Sequence, residues 1–525
     1  MEWIVIGENN GKIELVSDSS VDAKLPKGAF LTIDTKTVKF ILRVEASVQN
    51  EIYSPSPMII DMKLPPMEQD QTCKNVISTV CVKIISDRTD DLIEFIKPQQ
   101  LARRSTQNEI NIALNCEKKG PKVFIAAVQY GENKILTDGK NYMTAVLPEE
   151  MYWYQTLVCG KTGSGKTVAT KYLAQYFCEE LKGAVLAINV KEIDFLQMNQ
   201  KTITTNKHTI AEWNCLDKHP HGISNFNIYY PASQKFKPNL DIDYDICQPI
   251  TLSTNDLDPE SLNGLLTGIT DSGAQILPEV FRYWREEVSD SETSTFQDFI
   301  EYFNSCAAAK SFITQNTKGD VTMGTPIHPS TVNSIRKQLI IASNYFDYKD
   351  AIVLSAEKIV SPSKMSVIDI GNRNASEFGS LVLRQLVHQI VEKKNEGLFE
   401  DIPVLIIIDE VHLFYGGSAS NLALGDLDTV CRTGRSKKIG VIFSSQDPRD
   451  LPSGINSVVN SKIFFRTEAN LANEFGVNLN KYELNTLEKG FAAVSIHNIP
   501  QLKIVKFPLS LCGVNQEKED HNEKQ

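Results

Sequence analysis

Apolar positions in the first 130 residues fall in short runs: Trp3–Ile6, Ile13–Val16, Ala29–Ile33, Val38–Val44, Met58–Met62, Thr79–Ile85 and Val123–Tyr130. Gly, Pro, Asn and Asp turns separate them. Short strand-like runs at this spacing predict a small β-barrel or sandwich. The largely polar stretch from Asp87 to Ala113 has room for a helix across the barrel mouth. Nothing here resembles a reaction centre, so residues 1–135 are expected to form an accessory or docking domain.

From about Met151 the pattern changes. Thr156–Cys159, Ala184–Asn189, Met365–Ile370, Val404–Ile408 and Gly440–Ser445 read as strands, the first, second and fourth of them apolar with little alternation. Such strands are buried on both faces, as in parallel sheets. Val168–Phe177 reads as a helix, and Ser376–Glu396 as an amphipathic one with Leu381, Leu383, Leu386, Val387 and Ile390 mostly on one side. Strand, helix, strand order predicts an α/β core over 136–200 and 365–512, with further strands at Lys462–Arg466 and Phe491–Ile496. Residues 201–364 are mixed and then helical, and are expected to be a mainly helical insertion. Asp258-Pro259-Glu260 marks one helix start, Thr295 with Asp298 resembles a capping box, and another helix is expected over Ser330–Tyr345. The polar residues 513–525 predict a disordered tail.

With 525 residues, 42% of them hydrophobic, the chain suits two or three domains. A formal charge of −11 excludes a generally basic coat but leaves room for local Lys and Arg facing a nucleic acid. Ten cysteines without a CxxC pair suggest neither a zinc site nor a disulfide framework, and His219 with His221 lacks a third ligand nearby. The start Met1-Glu2-Trp3-Ile4-Val5-Ile6-Gly7 has no basic region, and no run approaches ~18 apolar residues. A cytoplasmic protein with no membrane contact is expected.

The chemistry concentrates in Gly160-Lys161-Thr162-Gly163-Ser164-Gly165-Lys166-Thr167, placed between a strand and a helix. Glycines let the backbone turn and aim N–H groups inward, where a helix N-terminus favours a polyphosphate. Lys166 is expected to reach the β and γ phosphates of ATP, and the Thr167 hydroxyl to join a Mg2+ shell. Val404–Ile408 ends in Asp409-Glu410. Asp409 is expected to hold the metal through water, and Glu410 to orient and deprotonate an attacking water. Hydrolysis is therefore expected rather than binding alone.

Gln446 ends the next strand and is a candidate sensor of the γ phosphate. Arg432, Arg435 and Arg466 are candidates for an arginine supplied across a subunit boundary, and Lys437 and Lys438 for contacts to DNA phosphates. Tyr415-Gly416-Gly417-Ser418-Ala419-Ser420 reads as a moving pore loop or a plain connector.

Three stretches, GKTGSGKT, VLIIIDEVHLF and GRSKKIGVIFSSQDPRDLP, together resemble the HerA/FtsK branch of the RecA-like P-loop ATPases, with HerA closest. The resemblance implies a RecA-like core, an N-terminal barrel and a helical insertion. It implies a homo-hexameric ring that translocates double-stranded DNA, with the barrel docking a NurA-like nuclease or another effector in repair or defence. It further implies sites at subunit boundaries, with Lys166, Thr167, Asp409, Glu410 and Gln446 on one side and an arginine, foremost Arg435, from the neighbour. Where that family has an acid at the end of the second core strand, this chain has Asn189. The same motifs also suit a nucleotide-gated platform that assembles and activates an effector.

Overall fold

The computed structural model describes residues 3–17, 24–51, 73–116, 119–191, 194–234, 236, 242–266, 276–290, 293–370, 375–414, 426–451, 455, 457–468 and 481–516. Strands β1 (Trp3–Asn9), β2 (Lys12–Ser17), β3 (Phe30–Asp34), β4 (Val38–Glu51), β5 (Cys73–Ser86) and β6 (Leu101–Arg104) close a barrel in the order β1-β2-β5-β4-β3-β6. Alternation builds it: Trp3 and Val5 point inward and Ile4 and Ile6 outward. Closure leaves no free edge. Helix α1 (Gln107–Ala113) follows, opened by a capping box between Thr106 and Glu109.

The barrel ends at Arg104, not near residue 135. The run Val123–Tyr130, expected to be part of it, forms β7 (Lys122–Gln129), and this strand joins a second, larger sheet. β7 pairs instead with the strand Thr144–Val146 and with one near the C-terminus, Ile125 opposite Val505, and its six consecutive buried residues, Val123–Val128, match a strand covered on both faces. The expected strand Met58–Met62 lies outside the described residues.

The large sheet comprises β7, β8 (Glu132–Ile135), β9 (Thr144–Val146), β10 (Thr156–Cys159), β11 (Ala184–Asn189), β12 (Asn225–Pro231), β13 (Cys247–Thr251), β16 (Ile352–Val353), β17 (Lys364–Asp369), β18 (Val404–Asp409), β19 (Ile439–Ser445), β20 (Ser461–Phe464), β21 (Phe491–Ser495) and β22 (Ile504–Lys506). Its order is β16-β13-β12-β17-β11-β18-β19-β10-β20-β21-β22-β7-β8, with β9 also paired to β7. Strands from β16 to β20 are mutually parallel, and the remainder antiparallel. Both faces are covered. Leu186, Ile188, Ile406 and Ile408 enter one core with Leu386 and Ile390 of α7 (Ala375–Asn395), while Val185, Ala187, Leu405 and Ile407 enter the other with Leu173 and Phe177 of α2 (Lys166–Glu179).

Residues 201–364 are less separate than a helical insertion. β12, β13 and β16 come from this stretch and extend the parallel sheet beyond β17. Mounted on them are α4 (Ile276–Tyr283), α5 (Phe296–Ala309), α6 (Pro329–Ala342) and a hairpin of β14 (Phe312–Gln315) and β15 (Val321–Thr325), while α3 (Lys207–Cys215) precedes β12. The Thr295–Asp298 capping box opens α5 as expected. Aromatic packing holds the subdomain, with Phe281 edge-on to Phe299 at 4.8 Å and Phe296 stacked on Phe346 at 4.0 Å.

The first residues of the expected tail are ordered. Gly513 N–H donates to Gln200 O and Ile203 N–H to Val514 O, each at 2.9 Å, and Val514 is buried. Pairing with the chain after β11 outweighs the local polarity. Residues 517–525 lie outside the described set.

Candidate nucleotide site

β10 lies between β19 and β20, all three parallel, so the loop after it emerges at the C-terminal edge of the sheet, where ligands bind in open α/β folds. Gly160 N–H donates to Ser445 O at 3.2 Å and Lys161 N–H to Arg466 O at 2.8 Å. These bonds tie both ends of the turn to neighbouring strands. Gly165 caps α2 with φ 112°, and a Cβ there would sit 2.9 Å from Gly490 N. No other residue fits that backbone without displacement. The start of α2 therefore presents free N–H groups into the loop.

Lys166 folds onto its own loop, its Nζ donating to Gly160 O at 2.5 Å. Burial pushes its pKa below the ordinary lysine value, with Glu410 opposing. Ser164 Oγ is buried inside the loop with no hydrogen-bond partner.

β18 delivers Asp409 and Glu410 to the same edge, both almost fully buried. Glu410 is left-handed at φ 50° and ψ 57°, a conformation costing roughly 1–3 kcal/mol for a non-glycine residue. Its Oε1 accepts from Gln446 Nε2 at 3.3 Å, and Gln446 Oε1 accepts from Thr162 Oγ1 at 3.4 Å. Gln446 thus bridges the phosphate loop and the acid. Glu410 Oε2, buried, has no hydrogen-bond partner. The orphaned Ser164 and Glu410 oxygens, the free N–H groups and the hard oxygen donors of Thr167 and Asp409 fit a polyphosphate with Mg2+.

One site residue escaped sequence reading. Lys191, two residues beyond β11, places Nζ 3.1 Å from Asp409 Oδ2, 2.8 Å from Glu410 Oε1 and 3.6 Å from Asp194 Oδ2. Burial works against its charge, but Asp409 and Glu410 more than offset this and raise its pKa. Asp194 is shifted up by burial and by Asp409, with Lys191 opposing. A signal existed in the β11–β18 adjacency, which puts the end of each strand beside the other. The Asn189 amide instead holds the turn, donating to Lys191 O at 2.6 Å and to Asp369 Oδ1 at 2.9 Å and accepting from Phe195 N–H at 3.2 Å.

The arginine candidates separate. Arg466 is exposed beside the phosphate loop of its own chain. Arg432 and Arg435 lie on helix α8 (Asp426–Lys437) rather than in a basic turn. Arg435 sits 5.2 Å over the Tyr154 ring, which lies tilted against His497 with ring centroids 3.8 Å apart. Tyr154 precedes β10 and α8 precedes β19, so this cluster occupies the opposite edge of the sheet. About six residues of extended chain, roughly 20 Å, separate Tyr154 from the loop. Arg435 is not brought to its own site. The segment Tyr415–Ser420 lies outside the described residues. Among the described residues, no helix is long and apolar enough to cross a membrane.

Residues 148–390 match the family described as Helicase HerA, central domain, and residues 375–473 match Helicase HerA-like C-terminal. The chain is 25% identical over 196 residues to the DNA double-strand break repair helicase HerA of Sulfurisphaera tokodaii, covering 35% of this chain and 39% of that protein. For the same-named protein of Sulfolobus acidocaldarius the identity is 24% over 187 residues, covering 33% and 38%. The matched stretch thus spans about two fifths of the length of these relatives. Among solved structures, the plasmid coupling protein TrwB in complex with ADP and Mg2+ aligns with TM-score 0.45 and 13% identity, over 70% of this chain and 88% of that one. VirB4 of Thermoanaerobacter pseudethanolicus aligns with TM-score 0.43 and 12% identity, over 75% and 97%. The two family matches run without a break from 148 to 473 and contain the phosphate loop, the β18 acids and Gln446, and the chain belongs to the HerA-type P-loop ATPases.

Proposed function

We propose that this chain hydrolyses ATP and uses the energy to drive a homo-hexameric ring along double-stranded DNA, with a nuclease or other effector docked on the barrel. The observation that carries the hydrolytic part is the meeting of Lys166, Asp409, Glu410 and Gln446 at one edge of the sheet, with a buried Glu410 oxygen left without a hydrogen bond.

Lys166 and the N–H groups opening α2 bind the phosphates of the substrate, Lys166 exchanging its bond to Gly160 O for phosphate oxygen. Thr167 and Asp409 are the residues to hold Mg2+, which supplies charge neutralisation at the phosphates. Glu410, held by Gln446 through Oε1, uses Oε2, which carries no hydrogen bond, to accept a proton from water. Gln446 couples this acid to Thr162 of the loop. Arg435, which lies over Tyr154 and away from its own loop, is the foremost candidate for the arginine supplied by a neighbour, where a guanidinium would stabilise transition-state charge. Magnesium rests on the family reading together with the oxygen donors of the site, and the hexamer, DNA and the partner effector rest on the family reading.

The test is the ATPase rate of purified protein with and without linear duplex DNA, with light scattering for mass. A hexamer whose turnover rises with duplex supports the translocase. Turnover indifferent to DNA overturns translocation and leaves a platform whose activator is the effector.

A further inference from the structure

Lys191 is the group in the site that no motif accounts for. Three carboxylates converge on its ammonium: Glu410 at 2.8 Å, Asp409 at 3.1 Å and Asp194 at 3.6 Å. Asp409 and Glu410 are almost fully buried. Buried carboxylates need a counter-charge, and of the lysines nearby Lys191 is the one whose ammonium lies within 3.1 Å of both acids. Lys166 is bonded to Gly160 O and Lys171 Nζ donates to Gly513 O at 2.6 Å, while the His412 ring, shared with Asp450, stands 3.6 Å from the other Glu410 oxygen, Oε2, beyond hydrogen-bond distance. The placement of Lys191 is built, because Asn189 grips its backbone carbonyl and fixes the turn from which the side chain reaches across to β18.

We infer that Lys191 is the resident counter-ion of the Asp409–Glu410 pair and competes with a divalent cation for these carboxylates, so that it sets how tightly the site takes metal. One positive charge facing three acids leaves the cluster net negative and attractive to a divalent ion. An ammonium at hydrogen-bond distance from Asp409 nevertheless occupies an oxygen that a hard cation needs. Metal binding therefore includes the release of Lys191. Bound phosphates, by adding negative charge and a second attraction for the ammonium, favour that release and couple metal uptake to nucleotide. Lys191 is a positioning residue in this scheme, holding the acids until substrate arrives. The inference rests on Asp409 being a metal ligand.

The probe is Mn2+ alone, titrated into protein without nucleotide and followed by electron paramagnetic resonance. Lys191→Gln is expected to bind Mn2+ about tenfold or more tighter than the parent, and Lys191→Arg, which keeps the charge, to bind as the parent does. Equal affinity in Lys191→Gln and parent overturns the inference. In the parent chain, reductive methylation read by mass spectrometry supplies a readout free of folding effects. Lys191 is expected to label faster at saturating Mn2+ than in chelator, and an unchanged rate overturns its release. Asp409→Asn separates the two levels. Mn2+ binding that survives this change removes the metal-ligand reading itself, whereas binding that depends on Asp409 yet ignores Lys191 removes only the counter-ion role.

Discussion

Glu410 combines burial, a left-handed backbone and a carboxylate with one oxygen hydrogen-bonded and the other not. Glu410→Gln keeps the shape but removes the proton acceptor. It is expected to bind ATP with parental affinity and to lose about 10²–10⁴-fold in turnover, checked by filter binding beside a phosphate-release assay. Retained turnover would transfer the base role to another group. Lys166→Ala removes a buried ammonium on the loop and is expected to weaken ATP binding by about 100-fold, read by the same filter assay. Asn189 is instructive beside these two. Its position invited comparison with a catalytic acid, yet its amide is spent on the turn, and the charge at that strand end comes from Lys191 and Asp194.

Helix α8 carries Arg435 to the edge of the sheet remote from its own phosphate loop. Arg435→Ala is expected to leave nucleotide affinity unchanged and lower turnover by about 10³-fold, and mixing it with Lys166→Ala protein should restore part of the activity if the arginine acts across a boundary. Undiminished turnover would return the role to Arg432 or Arg466. In the barrel, Glu109 of α1 receives Arg103 Nη2 at 2.7 Å and Thr32 Oγ1 at 3.0 Å. Burial works to raise its pKa, but the bonds from Arg103, Thr106 and Thr32 outweigh this and bring it down to about 2. A carboxylate depressed in the folded state stabilises above its unfolded pKa, and that stabilisation fades as pH falls towards the folded value. Glu109→Gln is thus expected to cost about 2 kcal/mol at pH 7. The gap to the parent should close between about pH 4.5 and 2, followed by urea unfolding with tryptophan fluorescence. A gap constant with pH would show that packing, not charge, holds the helix.

At the scale of the whole chain, barrel and sheet are joined where Arg43 of β4 meets the turn before β22. Arg43 Nη1 donates to Gln501 O at 2.9 Å and to Gln501 Oε1 at 2.6 Å, with Glu45 as ion partner at 2.5 Å. Arg43→Ala is expected to loosen this joint by about 1–3 kcal/mol and speed hydrogen exchange around Gly28–Phe30 and Gln501–Ile504, while basal ATP turnover stays unchanged. Altered basal turnover would mean that the barrel acts on the site through this contact. The same experiment on DNA-stimulated turnover would show whether a docked effector could signal along this route.

Local chemistry made much of the protein readable from its residues alone. The strand, loop and helix from Thr156 to Glu179 follow from glycine conformational freedom and a helix start, and the acids after Ile408 from an apolar run that must be buried on both faces and so ends at a sheet edge. Neither inference needs a distant partner. Tertiary structure decided what depends on partners far along the chain. Lys191 pairs with Asp409 across 218 positions, and Arg43 with Gln501 across 458. β7 leaves the barrel because β22 offers an open edge, and β12, β13 and β16 extend the sheet because β17 does. Periodicity records which face of a segment is buried, but not which edge or charge it will meet. That choice belongs to the folded whole, where unpaired backbone edges and buried carboxylates each have to find a partner.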